Sequence, residues 1–347
     1  MAKELVIGLW TFDAGDLFGD GRTSWTKSIQ ERVGGLRSAA ERLQQEAARS
    51  VDSPGFNSIL AAPEYLFSNR DADGARLPLS ESERLELEPR LLELSRAFPR
   101  MVMVPGTLFY AKTLVRPSGA DMKFNPATGL RDLPKTGTAE RREKYVRKVG
   151  AALAEADQLF ADLQERDSVK SHGFVVGRND YAVPALSTLQ ETLRNGSKTP
   201  LVVRNTAYLL HGGRRVGKYD KRADFGETRG AAADDLAFVP GTTQQCPVID
   251  GYRFGVEICY DHQVGALARR GVPDLRFHIL VSDATDNKRG SMAMSEGGYF
   301  LHASTIGSET TVLFRKPGGR IEAVQETDDP PIFSVDELKL YRTTVPD

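Results

Sequence analysis

Cysteine is nearly absent from this chain, and the shortage narrows its chemistry. Cys246 and Cys259 are the two cysteines in 347 residues, too few for a disulfide framework or a thiolate metal cage. Their spacing permits a bridge, but a bridge would silence Cys259, and Cys246 beside Pro247 is expected to be an ordinary strand-edge residue. No run of about 20 apolar residues is present to span a bilayer. The opening Met1-Ala2-Lys3-Glu4-Leu5-Val6-Ile7 has a short apolar run, followed by Asp13 and Asp16, unlike a secretory signal. A cytoplasmic protein with no membrane partner is the expectation. Excess charge is lacking as well. Lys plus Arg number 46 against 47 for Asp plus Glu, so no global field attracts a polyanion, and nucleic-acid binding is disfavoured. Metal-ligand spacing is also missing: His172, His211, His262, His278 and His302 are dispersed, without His-x-x-x-His or Cys-x-x-Cys. No metal or other cofactor is expected.

What the chain does have is alternation of strand and helix signals. Strand-like runs occur at 5–10, 58–62, 101–107, 201–210, 254–259, 277–282 and 310–314, several of them apolar throughout, as in strands covered on both faces. Ile29, Val33, Leu36, Ala40, Leu43 and Ala47 place one apolar stripe on a long helix. A second helix is predicted from Ser80 or Ser82 to Phe98, kinked or split at Pro89. This order defines an α/β class, and 347 residues can form one such domain, 1–347.

Three residues at the ends of such runs suit nucleophilic acyl transfer. Cys259 closes Gly255-Val256-Glu257-Ile258, after which Tyr260-Asp261-His262-Gln263 turns polar, placing a thiol at a sheet rim where substrate can reach it. A thiol needs activation, and a nearby base and ammonium favour thiolate. Glu64 follows Ala61-Ala62-Pro63 at the end of a buried strand, where a low dielectric would suit a base. Lys218 and Lys221 are three apart in a basic hairpin, so strand parity lets only one of them face the cleft.

The segments Pro63-Glu64-Tyr65, Gly217-Lys218-Tyr219-Asp220-Lys221 and Gly255 to Asp261, joined by Asn205-Thr206-Ala207-Tyr208 and Phe238-Val239-Pro240-Gly241, resemble the nitrilase superfamily of carbon-nitrogen hydrolases. The likeness covers about 3–110 and 200–315. It implies an αββα four-layer sandwich and a homo-oligomer acting on a small-molecule substrate. It also implies a catalytic set of Glu64 as general base and acid, Cys259 as nucleophile and Lys221, chosen over Lys218, as oxyanion partner, with the backbone N–H of Tyr260 beside it. The product of the first step would be a Cys259 thioester, from an amide or N-carbamoyl substrate before a nitrile, because Tyr260-Asp261 follows the cysteine. His302, in Gly298 to Ser304, corresponds to a segment near the site in relatives and is expected to line the pocket. A second carboxylate orients the lysine in relatives, and here Glu227, Asp234 and Asp235 compete for that role. Ala223 stands where relatives often have His, and His262-Gln263-Val264-Gly265 replaces Arg-Phe-Pro-Glu, which points to an unusual substrate.

Residues 111–200 depart from the family as a helical insertion. Tyr145, Val149, Ala152, Leu153, Ala156, Leu159, Phe160 and Leu163 follow helical spacing, as do Leu186, Leu189 and Leu193. Such stripes cover either the sandwich or a subunit interface, or else form a lid over the cleft. Three rival readings are weaker. Gly212 to Lys218 fits most of a phosphate loop, yet Tyr219 stands where a magnesium-binding hydroxyl belongs and the segment joins two strands. A Cys259–His302 dyad would suit papain-like chemistry. A catalytically silent binding protein on the same fold would not need all three of Glu64, Lys221 and Cys259.

Overall fold

A computed structural model describes residues 3–12, 28–49, 54–70, 76–113, 124–125, 130–131, 170–171, 174–175, 201–223, 236–238, 244–327 and 336–345. Most of the expected insertion, including both of its amphipathic stripes, lies outside these residues, as do Glu227, Asp234 and Asp235.

The principal elements are β1 (Lys3–Phe12), α1 (Ile29–Ala47), β2 (Ser58–Ala62), α2 (Glu81–Ala97), β3 (Met101–Pro105), β4 (Thr107–Thr113), β5 (Leu201–His211) and β6 (Arg214–Asp220). They continue with β7 (Val248–Ile249), β8 (Tyr252–Ile258), α3 (Tyr260–Gln263), α4 (Ala266–Arg270), β9 (Leu275–Ser282), β10 (Tyr299–Ser304), β11 (Thr311–Arg315), β12 (Ile321–Ala323) and β13 (Asp336–Val345). Two mixed sheets result. The first runs β6-β5-β3-β2-β1-β13, with β4 and Leu236–Phe238 also pairing with β5, and the second runs β7-β8-β9-β10-β11-β12. Strands β1, β2 and β3 are mutually parallel, and so are β8, β9 and β10.

Period-two alternation divides the side chains between layers. Leu5, Ile7 and Leu9 of β1 face Phe254, Ile258, Ile279 and Leu301 of the second sheet, forming the core between the sheets. Val6 and Trp10 face the other way, onto Leu36, Ala40 and Leu43 of α1, while Leu87, Leu91 and Leu94 of α2 extend the same cluster. Both helices begin with a capping box. Ser28 pairs reciprocally with Glu31 and Ser80 with Glu83, satisfying donors that the first turn leaves open. The expected break at Pro89 does not occur, for α2 is one helix across it. Pro89 and Leu85 are exposed, so the carbonyl that loses its donor can face water.

The second outer layer is described only in part. Among the described residues, the outer face of the second sheet carries the short α3 and α4 together with a loop whose Met292 and Met294 pack on Leu280 and Phe300. Gly255 lets α4 lie close, since a Cβ there would stand 2.8 Å from Leu267 Cδ2. One boundary also moved, and one strand was not expected. The run at 101–107 is two strands, parted at Gly106, and β13 pairs with β1 in antiparallel register from Lys3 with Val345 to Phe12 with Asp336.

Candidate active site

The parallel strands β2, β8 and β9 end at one edge of the sandwich, where open α/β sheets bind ligands. Pro63 and Glu64 follow β2 directly, Cys259 follows β8, Asp283 follows β9, and Lys221 follows β6. Two backbone hydrogen bonds stitch these ends together. Cys259 N donates to Val281 O at 2.9 Å and Glu64 N donates to Ser282 O at 3.2 Å, the second of these crossing from one sheet to the other.

Glu64 is fully buried and its carboxylate is a convergence point. Lys221 Nζ and Asn205 Nδ2 each donate to Oε1 at 2.8 Å, and the Asp283 N–H donates to Oε2 at 3.1 Å. The turn that aims it depends on Gly106, whose φ is +71° and whose Cβ, were there one, would lie 2.4 Å from the Pro63 carbonyl oxygen. Tyr65 follows with φ +58°, held by its N–H on Thr107 Oγ1 at 2.9 Å. Arg76 stacks 3.4 Å over the Tyr65 ring and pairs with Asp283 at 2.8 Å.

Cys259 sits in a sharp turn with φ 45° and ψ −111°, and the polypeptide enters α3 immediately after it. Its Sγ lies 3.5 Å from Thr285 Oγ1. Burial pushes the thiol pKa well up, the Glu64 charge and hydrogen bond push it further, and Lys221 and Thr285 oppose without prevailing. Desolvation of the charged form thus outweighs the ammonium, which favours the thiol. Cys246 is also a free thiol, half-buried, and no disulfide joins the two.

Parity operates as expected around the two lysines. Tyr219 points into the core between the sheets, Lys218 points away, and Lys221 ends at Glu64 with its side chain 1% exposed. Lys218 is not simply solvated, however, because its ammonium lies 2.9 Å from the Asp220 carboxylate and is partly covered. Asp261 fixes the backbone after Lys221, accepting from Ala223 N at 2.7 Å, Arg222 N at 3.0 Å and Tyr219 Oη at 2.5 Å. Burial raises the Asp261 pKa to about 7 against those three hydrogen bonds.

Tyr260 is buried against Ala223, Val264 and Ala266, and it is the first residue of α3. His302 is not brought to the thiol. It projects from β10 on the outer face of the second sheet, where Nε2 meets Ser282 Oγ at 2.7 Å and Nδ1 meets Asn287 Oδ1 at 2.6 Å. Burial, then His262 and His278, hold its pKa well below the usual value, so the ring is neutral. The reason is parity: Tyr299, Leu301 and Ala303 take the inner face of β10 and leave His302 the outer one.

Sequence reasoning gave no role to Asn205, Asp283, Thr285 or Asp261. Asn205 carried a signal, since it opens the Asn205-Thr206-Ala207-Tyr208 segment that marks the family resemblance. Asp283 and Thr285 lie in a loop with no periodicity to expose them. Two of the histidines that are far apart in sequence meet in space, since His262 and His278 both contact Glu257.

No family model matches the chain, and no curated protein matches it. Across nearly its full length it is similar in structure, at low identity, to amidases and related members of the nitrilase superfamily. A cysteine-to-alanine mutant of the Nesterenkonia AN1 amidase from that superfamily has 12% identity and a TM-score of 0.45, over 99% of this chain and 91% of that one. Saccharomyces cerevisiae Nit3, a member of branch 10 of the superfamily, has 12% identity and a TM-score of 0.43, over 98% and 90%. A glutamine-dependent NAD+ synthetase from Acinetobacter baumannii has 11% identity and a TM-score of 0.45, over 98% of this chain but 45% of that one.

Proposed function

We propose that this chain is a carbon-nitrogen hydrolase of the nitrilase superfamily that cleaves an amide or N-carbamoyl bond through a Cys259 thioester. The observation that carries this reading is the buried meeting of the Glu64 carboxylate, the Lys221 ammonium at 2.8 Å and the Cys259 thiol. A buried thiol beside an acceptor carboxylate is arranged for general-base attack: Sγ forms its bond to the substrate carbonyl as its proton passes to Glu64. Lys221 then donates to the oxygen that gains charge, with the Tyr260 N–H at the start of α3 as its partner. Glu64 returns the proton to the departing nitrogen as the C–N bond breaks, leaving the thioester. Glu64 next takes a proton from water, which attacks the acyl carbon. The C–S bond breaks and Sγ recovers its proton.

Asn205 and Asp283 hold the Glu64 carboxylate through this cycle, and Asp261 holds the turn that presents Lys221. The second carboxylate for the lysine is one of Glu227, Asp234 and Asp235, which lie outside the described residues. The test is intact-mass analysis after brief exposure to a panel of primary amides, N-carbamoyl amino acids and nitriles. The expected result is an acyl adduct on Cys259 from an amide or N-carbamoyl compound, with release of amine or ammonia. Adducts from nitriles alone would replace this reading with nitrile hydrolysis. Alkylation by a thiol reagent with no turnover of any panel member would favour a silent binding protein.

A further inference from the structure

We propose that Glu257 is a positioning residue that clamps the turn carrying Cys259. This rests on the functional reading above for its effect on turnover, though not for its structural content. Glu257 precedes the nucleophile by two residues, on the outer face of β8, and is fully buried. Its Oε1 accepts the Leu267 N–H, and its Oε2 accepts from His262 Nδ1 at 3.0 Å and His278 Nε2 at 2.9 Å. These donors belong to α4, α3 and β9. One carboxylate therefore ties the strand entering the Cys259 turn to both helices leaving it and to the neighbouring strand.

The direction of the His278 hydrogen bond follows from one further contact. Ala293 N–H donates to His278 Nδ1 at 3.1 Å, so that nitrogen is an acceptor and Nε2 carries the proton aimed at Glu257. The same contact disfavours a metal ion among Glu257, His262 and His278, although their ligand atoms lie within 4.8 Å of one another, because a protonated Nε2 offers no lone pair. The cluster is a carboxylate receiving three N–H groups, and charge-assisted hydrogen bonds of this kind are strong where water is excluded.

The Cys259 turn needs such a clamp. A non-glycine residue at φ 45° persists only where its surroundings over-determine it. α3 and α4 are too short to impose that geometry by themselves, having four and five residues. Glu257 touches neither substrate nor thiol in this arrangement. Its influence reaches the reaction through the placement of Sγ and of the Tyr260 N–H.

The experiment compares variants that keep a donor with variants that remove it. Gln at 278 and Asn at 262 can present an amide N–H near the ring nitrogen each replaces, whereas Leu at either position cannot. Amide hydrogen exchange over 260–267 is followed in the full chain, alongside kcat and KM. Glu257→Gln, His278→Leu and His262→Leu are expected to speed exchange in this segment about tenfold or more while distant segments are unchanged, and to lower kcat about tenfold with KM within about threefold. His278→Gln and His262→Asn are expected to stay close to the parent on both measures. Where Glu257→Gln fails to fold, the His262 pair decides. Equal behaviour of the donor-keeping and donor-lacking variants, or parent-like exchange in Glu257→Gln, overturns the proposal. So does loss in every variant accompanied by stoichiometric bound metal in the parent. A parent protein with no turnover would defeat the functional reading alone, since the exchange comparison still decides the clamp.

Discussion

The Asp261 carboxylate accepts the Ala223 N–H at 2.7 Å, which joins the turn after Cys259 to the turn after Lys221. The Cys259 thiol and the Lys221 ammonium come from different sheets, and this contact fixes their spacing through groups that touch neither Sγ nor Nζ.

Cys259→Ala is expected to abolish turnover and leave the fold intact. The thiol has one side-chain hydrogen-bond partner apart from the base, Thr285 at 3.5 Å, so few contacts are lost. Steady-state assays and a melting curve check this, and retention of even about a tenth of the activity would remove Cys259 as nucleophile. Cys246→Ala should be close to neutral on both measures.

Lys221→Ala should lower kcat about a hundredfold or more, the scale of losing one preorganised oxyanion donor. It should also destabilise the fold, because Glu64 would remain buried without its cation. Lys218→Ala removes a partly exposed pair with Asp220 and should cost about 1 kcal/mol or less. The opposite ranking in kcat would show that the oxyanion partner is misassigned.

Asn205→Leu should reduce kcat about tenfold with little change in KM, because Glu64 loses one of the donors that hold its carboxylate toward the thiol. Single-turnover measurement of the acylation step is the direct check. An unchanged acylation rate would mean that Lys221 and the Asp283 N–H hold Glu64 without it.

Gly106→Ala should destabilise the protein by about 1–3 kcal/mol or more, through the left-handed backbone and the collision with the Pro63 carbonyl. Because Pro63 adjoins Glu64, kcat should fall as well. Denaturant titration with parallel kinetics would reveal a loss of stability without loss of rate, which would separate this turn from the site.

Acid should destabilise the protein partly through Glu257. Its pKa falls from 4.5 to about 2 on folding, because His278, then hydrogen bonds from His262 and His278, outweigh its desolvation. The unfolded chain therefore binds the proton more readily in that interval, so this contribution is complete above about pH 4.5 and is lost as the pH falls toward 2. Folded Glu257→Gln protein should show a shallower decline of unfolding free energy across that interval, measured by urea titration. A decline as steep as the parent's would assign the acid sensitivity to other carboxylates.

Much of the framework was legible because burial writes itself into periodicity. The stripe from Ile29 to Ala47 announced α1, and the unbroken apolar runs announced the central strands. The strand β13 went unread because it lies at the edge of its sheet and mixes Glu, Lys, Arg and Thr with Leu338, Leu340 and Tyr341, so that its ten-residue register with β1 is a tertiary fact. Glu64, Lys221 and Cys259 were singled out by local motifs and strand parity, and the fold brings the Glu64 carboxylate to the Lys221 ammonium. Thr285 and Asp283 were not, since loop residues acquire meaning only when the fold delivers them. His302 was misplaced for a related reason: its segment was located correctly, but the face it presents depends on a register that opening motifs do not state.

Glu64 rides on one sheet and Cys259 on the other, with the Ile7, Ile279 and Leu301 layer between those sheets. In the proposed mechanism, the gap across which the proton travels is thus set by how two slabs bear on each other. A methylene removed from that layer lets the slabs slide or tilt, and in a close-packed interior such a displacement is transmitted to the rim where the reacting groups meet. Packing and rate are for this reason a single mechanical property, and hydrostatic pressure or a conservative change such as Ile279→Val should register in the acylation step.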